Sequence, residues 1–415
     1  MLGYKHMRIY FLLCRSSRWR IWTMIVMVFS AILLFKSFPH LPGNMVKGVE
    51  SGNDKRELNN ITRTNKTIST KAPKIICEIP SVSDLNSTYE ANVNSITFDI
   101  LEPALFGESY QEVLSLLKRT GGLLVERLKS QARTDEKNYT IEKEYFDGDI
   151  VKIGNYDYLP GGRWRPSDCN PKWKVAIVVP FRDRNVHLAI LLHNLIPFLQ
   201  NQKLEFGFFV GEQYNSLLFN RGLMKNVGYR GATRFGDWNC VIFHDIDLVP
   251  MKGGNYYGCD NFPRHLAAYT EQFKYRLPYE TIFGGVVGLT AEQVRLSNGY
   301  SNAYWGWGGE DDELFVRLKR RGINITRETE HGYYRSLQHK KKLKKQLCPE
   351  VNCLYNNFQL RADWEGINNM TYSIKSLELF PLYTKISVDV QKEVWNSNMK
   401  PCESFSNHEG HQHDK

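Results

Sequence analysis

The sequence predicts an α/β fold built on a Rossmann-like nucleotide-binding sheet, and two observations predict it. From Lys174 to Val390, strand-like apolar runs alternate with segments of helical periodicity, the βαβ rhythm of such sheets. The residues with chemical character then cluster where those strands end, which is where α/β sheets bind ligands. In chain order, residues 175–180 (VAIVVP) read as a buried strand, 186–199 as a helix, 204–210 as a strand, 217–227 as a helix and 240–244 as a strand. Leu314, Phe315 and Leu318 recur at helical spacing, so the acids from Glu310 to Glu313 fall in the first turn of a helix. Residues 105–128 also carry helical spacing, broken by Gly121 and Gly122; they read as a helical pair or as an extension of a stem. The folded domain is expected over residues 77–392, with its main body beginning near Lys143. No internal repeat is evident.

The 415 residues are 42% hydrophobic and 13% aromatic, enough for a sizeable core, which excludes disorder throughout. A formal charge of +10 raises nucleic-acid binding, but the excess is local. Lys5, Arg8, Arg15, Arg18 and Arg20 precede an apolar stretch, and five lysines fall within residues 340–345, a predicted loop. Neither makes a nucleic-acid-binding face.

Residues 21–35 form an uncharged run of 15, roughly 22 Å of helix at ~1.5 Å per residue. Extension through Phe38 and snorkelling of Arg20 and Lys36 suit it to a thin bilayer. It is read as a signal anchor over residues 21–38, with a cleaved signal peptide as the competing reading; the long basic leader and the lack of a small-x-small site favour the anchor. The positive-inside rule then leaves residues 1–20 cytosolic and the remainder luminal. Six glycosylation sequons, at Asn60, Asn65, Asn86, Asn138, Asn324 and Asn369, agree with that orientation. Luminal exposure also makes Cys77, Cys169, Cys240, Cys259, Cys348, Cys353 and Cys402 candidates for disulfides, an odd number that leaves at least one unpaired or intermolecular. Residues 39–76, rich in Asn, Thr, Lys and Ser, cannot bury a core and read as a stem. Residues 393–415 read as a polar, disordered tail.

The chemistry-bearing residues follow the same order. Pro180, Phe181, Arg182, Asp183 and Arg184 close the first strand, and Phe219, Asn220 and Arg221 fall in the predicted 217–227 helix. Arginines suit phosphate through their bidentate fork, and aromatics suit a base ring. Asp245-Ile246-Asp247 ends the next strand, where two carboxylates at i and i+2 can share a divalent cation and the diphosphate it bridges. Tyr304-Trp-Gly-Trp-Gly-Gly-Glu-Asp-Asp-Glu313 combines glycines that let a loop hinge with indoles that stack on sugar rings. Acids at a helix start are also favoured by the helix dipole alone; the Trp-Gly-Trp-Gly-Gly run before them points instead to a site.

Together these residues resemble the β1,4-galactosyltransferase family of type II Golgi membrane glycosyltransferases, which transfer galactose or N-acetylgalactosamine from a UDP-sugar. The resemblance runs from about Cys77 to Val390, through PFRDR at 180–184, FNR at 219–221, DID at 245–247, FGG at 283–285, WGWGGEDD at 305–312 and PLYTKISVD at 381–389. It implies a GT-A fold, a Mn²⁺-dependent inverting mechanism, and disulfides Cys77–Cys169 and Cys240–Cys259; Cys348 and Cys353 look like an addition. It assigns Pro180 to Arg184, Phe219, Asn220, Arg221, Asp245, Ile246, Asp247, Trp307 and His339 to UDP-sugar binding, and Asp247 with His339 to the metal. Phe273, Tyr279, Trp307, Gly309, Glu310, Asp311 and Asp312 are assigned to the acceptor sugar, with Asp311 as general base beside Glu310.

Two departures stand out. Ser336 occupies a position where the family usually carries a methionine three residues before the histidine, and a hydroxyl is a harder, weaker ligand. Ile282 stands where galactose-transferring members typically have a tyrosine, leaving space for a 2-acetamido group; packing alone is the plainer reading of it. The sequence thus points to a Golgi enzyme moving GalNAc from UDP-GalNAc in β1,4 linkage to terminal β-GlcNAc of a glycoprotein or glycolipid. A UDP-Gal-using galactosyltransferase and a weakly active sugar-binding or partner-stabilising subunit are the alternatives.

Overall fold

The structure, a computed structural model, describes residues 75–131, 150–338 and 351–391. The expected anchor, nearly all of the stem and the polar tail lie outside them; no helix among the described residues is long and apolar enough to cross a membrane.

Three helices come first: α1 (Val82–Ser87), α2 (Phe98–Phe106) and α3 (Tyr110–Gln131). Leu101, Phe106, Val113 and Leu116 are buried in one cluster with Trp164 and Phe206 of the sheet. The folded body therefore begins well before Lys143. Nor is α3 broken at Gly121 and Gly122: each glycine costs about 1 kcal/mol of helix propensity, which the long amphipathic helix absorbs.

Next come β1 (Val151–Ile153), β2 (Tyr156–Leu159), β3 (Arg163–Pro166), β4 (Lys174–Phe181), α4 (Asn185–Asn201), β5 (Glu205–Gln213), α5 (Arg221–Ala232) and β6 (Cys240–His244). They are followed by β7 (Leu248–Pro250), β8 (Arg264–His265), β9 (Tyr269–Thr270), β10 (Val286–Thr290), α6 (Ala291–Ser297) and α7 (Glu310–Arg320). The last are β11 (Thr326–Arg327), β12 (Tyr333–Ser336), α8 (Val351–Asn356), β13 (Tyr372–Leu379) and β14 (Thr384–Val390).

The main sheet is mixed. Its order is β1-β2-β3-β5-β4-β6-β10-β8-β11, with β14 also pairing with β5 and β13. Strands β14, β5, β4 and β6 run parallel, whereas β10 returns antiparallel to β6. Side chains alternate across this sheet. Val175, Ile177 and Val179 of β4 join the cluster under the N-terminal helices and α4, while Val178 joins the one under α6 and α7. Burial on both faces is why VAIVVP is continuously apolar, and each fully buried side chain of this kind contributes ~1.5–3 kcal/mol.

The helix expected over 217–227 starts later, at Arg221. Asn220 is extended (φ −104°, ψ 90°) and its side chain accepts from the Leu223 N–H at 2.9 Å, so it caps the helix and leaves residues 217–219 in the loop before it. A second small sheet, β7-β12-β9, lays Ser336 opposite Leu248, beside the DID turn.

Disulfides join Cys77 to Cys169 and Cys240 to Cys259. Cys353 is also disulfide-bonded. The second bridge ties the start of β6 to the segment before β8 across a sequence separation of 19. Cys259→Ser is expected to destabilise the fold by about 3 kcal/mol, the loop-closure value for that length. The denaturant midpoint of parent and variant measures it.

Candidate active site

At the end of β6, Asp245 and Asp247 diverge. The Asp245 carboxylate is paired with Arg221 at 2.9 Å and with Lys225 at 3.2 Å. Burial pushes its pKa up, but the two cations outweigh burial and hold it below the usual range. Lys225 is one helical turn after Arg221 on α5 and lies over the Tyr300 ring at 4.6 Å. Asp247 is different: its side chain is 31% exposed and faces Arg184 at 3.3 Å. The two acids of the motif are thus unlike in charge balance and access.

Arg221 also reaches α7. Its Nε donates to Glu310 Oε1, and its second terminal nitrogen lies 3.7 Å from Asp311 Oδ2. Burial disfavours the Arg221 charge, but Asp245, Glu310 and Asp311 together raise its pKa well above the ordinary value. Shared three ways, the guanidinium does not offset the burial of Glu310, whose pKa is raised by that burial and by the Asp311 charge.

The loop before α7 is fixed by backbone. Gly306 N–H donates to Phe219 O at 3.0 Å, and the Asn220 side chain donates to Asn302 O at 2.7 Å. Gly309, at φ 95°, takes a left-handed conformation open to glycine at little cost, and the chain then turns directly into the acids. Trp307 stands 49% exposed at the loop's tip. Opposite, Gly284 packs so closely that a Cβ there would lie 2.1 Å from Asp311 Oδ2. Gly285 O accepts from Asp245 N–H, so FGG meets both acidic motifs. Ile282, expected as a packed strand residue in its plainer reading, is instead in the loop before β10, half-buried. Tyr279 donates to Asp312 Oδ1 at 2.7 Å.

At the other edge, Arg182 donates to Leu217 O at 2.6 Å and lies over the Phe219 ring at 5.0 Å. Asp183 adopts φ 52°, and Pro180 and Phe181 are buried at the strand end. Ile246 is buried between the two acids. Phe273 sits on a turn whose bonds run to β12: the Ser336 hydroxyl accepts from Gln272 N–H, and Glu271 accepts from Ser336 N–H, both at 3.2 Å. His339 lies outside the described residues, which hold no cluster of three or more potential metal ligands.

Sequence reasoning missed Lys225, although its spacing four after Arg221 on a capped helix was a usable signal. It also missed the buried network beneath α7. There Glu313 takes Tyr304 Oη at 2.6 Å, Arg317 at 2.8 Å and Arg361, while Glu365 takes Arg317 at 2.6 Å and Arg361 at 2.7 Å. Glu365 also accepts from Asn302 N–H, joining this network to the Trp/Gly loop.

Comparison with known proteins adds to this geometry. A family profile described as the N-terminal region of glycosyl transferase group 7 matches residues 134–260, and one described as the N-terminal domain of galactosyltransferase matches 264–340. The human protein named beta-1,4-galactosyltransferase 6 is 47% identical over 239 residues, 57% of this chain and 62% of that protein. The mouse beta-1,4-galactosyltransferase 5 is 44% identical over 235 residues, 56% of this chain and 60% of that one. These matches span less than two thirds of the relatives' own length. Among solved structures, the catalytic domain of Drosophila β1,4-galactosyltransferase 7 in complex with xylobiose is 28% identical, with TM-score 0.46, covering 55% of this chain and 98% of that one.

Lys225→Met is expected to leave Asp245 with a single cation in a buried site and to cost up to ~3 kcal/mol, the lower end for breaking a buried pair. A surface substitution such as Lys385→Met, at a partly exposed pair, is expected to cost ~1 kcal/mol or less. Thermal unfolding of the two variants separates these outcomes.

Proposed function

Because the chain belongs to the β1,4-galactosyltransferase family, we propose that it is an inverting glycosyltransferase moving N-acetylgalactosamine from UDP-GalNAc in β1,4 linkage to terminal β-N-acetylglucosamine. The observation that carries the reading is the convergence of Asp245, Glu310 and Asp311 on Arg221, with an exposed Trp307 in the loop that leads into the acids. It joins the strand-end acids suited to a nucleotide diphosphate to the loop acids suited to a sugar hydroxyl.

The residues divide as follows. Arg182 and Phe219 form a cation–aromatic edge for the uracil end of the donor, and Arg184 beside Asp247 is placed for the diphosphate. Trp307 stacks on sugar, with Tyr279, Asp312 and Phe273 completing the acceptor side. Glu310, held by Arg221, orients the acceptor, and Asp311 accepts the proton of the attacking hydroxyl. That oxygen bonds to the anomeric carbon as the bond to the UDP oxygen breaks on the opposite face, so an α-linked donor gives a β-linked product.

Of the two acids of the DID turn, Asp247 is the partly exposed one and would contribute to a divalent-cation site. With Asp245 already balanced by two cations, Asp247 is the accessible carboxylate, and we assign it with His339 to Mn²⁺. Ser336 already accepts a backbone hydrogen bond. When bound, the ion would offset charge growing on the departing UDP.

The donor choice rests on Ile282, two residues before Gly284, where an aliphatic side chain leaves room for a 2-acetamido group. A UDP-Gal donor is the second reading, favoured by the galactosyltransferase names of the relatives. Golgi residence as a type II membrane protein is part of the same proposal. Two disulfides support an oxidising compartment, and the sequons at Asn86 and Asn324 are exposed.

Asp311→Asn is expected to retain fold and donor binding while losing ~10²- to 10⁴-fold in turnover, the usual contribution of a general base; near-parental kcat would remove Asp311 from the mechanism.

Ile282→Tyr is expected to move the ratio of kcat/KM values from UDP-GalNAc towards UDP-Gal, on the order of 10- to 200-fold if it behaves as a pocket-size effect. Donor competition with a GlcNAc acceptor reads it directly. A parent protein that already prefers UDP-Gal would establish the second reading.

A further inference from the structure

We infer that Arg327 and His265 form a clamp that sets the position of the donor-selecting loop, and that Arg327 is a positioning residue for donor discrimination. Arg327 on β11 and His265 on β8 are direct register partners, and β8 in turn pairs with β10, which the loop enters. From this platform one guanidinium reaches three groups: it donates to Ile282 O at 2.7 Å, to Glu280 O, and to His265 Nδ1. The other ring nitrogen, His265 Nε2, lies 3.0 Å from Gly284 O. The arrangement admits one protonation pattern. Nδ1 accepts from Arg327, so it carries no proton, and Nε2–H donates to Gly284 O. Burial, reinforced by the Arg327 charge, keeps the imidazole in that neutral form.

Three carbonyls of one short loop, at 280, 282 and 284, are therefore held by two side chains on neighbouring strands. The opposite side of the loop is fixed as well, because Gly284 abuts the Asp311 carboxylate. The backbone at Ile282 is thus held by Arg327, and two residues on the same loop abuts Asp311 at Gly284. The Ile282 side chain sets the space for the donor's 2-substituent only while that backbone stays in place. Lysine cannot replace Arg327 here, since an ammonium lacks the planar fork that spans several acceptors at once.

This inference rests on the donor-selecting role proposed for Ile282, and the test separates the two. Arg327→Met and Arg327→Lys are compared with the parent by the ratio of kcat/KM for UDP-GalNAc and UDP-Gal, and by amide hydrogen exchange over residues 278–285. The expected result is a ratio shifted about tenfold towards non-discrimination, the lower end of pocket-size effects, with exchange in that stretch accelerated in both variants. A purely structural role would lower both donors equally and lower the melting temperature; an unchanged ratio overturns the inference. If Arg327→Met does not fold, Arg327→Lys carries the test. If the parent turns over neither donor, the proposed activity fails, and unaltered exchange over 278–285 in Arg327→Lys overturns the clamp independently.

Discussion

A single guanidinium, that of Arg221, holds together parts of the chain that the sequence keeps far apart. Its three acidic partners come from the end of β6 and from the start of α7, and without it their charges would repel across a buried space. The fold goes to some length to present it. Asn220 caps α5 so that Arg221 is the first helical residue, Gln213 on β5 accepts the Asn220 N–H at 2.8 Å, and Gly306 docks on Phe219. Helix start, strand end and loop are thereby fixed as one unit, and the position of each acid follows from it.

The network of Glu313, Arg317, Arg361 and Glu365 serves a related purpose from below. Its four side chains are essentially inaccessible to solvent. Buried ion pairs recover little net stability, because desolvating the charges costs nearly as much as their attraction returns. Here they fix geometry: α7 cannot slide or rotate relative to the 361–365 turn without uncovering a charge. Tyr304 and Asn302 extend that constraint into the loop that carries Trp307.

Much of the site was legible because its residues lie in short contiguous runs. PFRDR, FNR, DID and WGWGGEDD each carry their chemistry within a few positions, and the strand ends that assemble them follow from apolar periodicity. The central strands were legible for the same reason, being buried on both faces. What stayed hidden depended on distant partners. Nothing near Arg361 or Glu365 announces that they meet Glu313 and Arg317 respectively, and Arg327 reads as a surface basic residue until β11 is seen beside β8. The helix boundary at Arg221 was missed because apolar spacing alone placed its start at Leu217, overlooking the capping asparagine. The N-terminal helices were undervalued because the paired glycines of α3 look like a break, while packing on Trp164 and Phe206 settles the body's true start.

The Cys77–Cys169 bridge has a mechanical consequence. It closes a covalent ring that contains α1, α2 and α3, and the adjacent contact of Ile76 with Asn170 reinforces the same junction. A pull on the chain upstream of Cys77 therefore enters the domain through Cys169, just ahead of β4, and bypasses the ring. The three helices are outside the load path, so tension on a tether would be borne by the central sheet and would not peel away the layer that covers it.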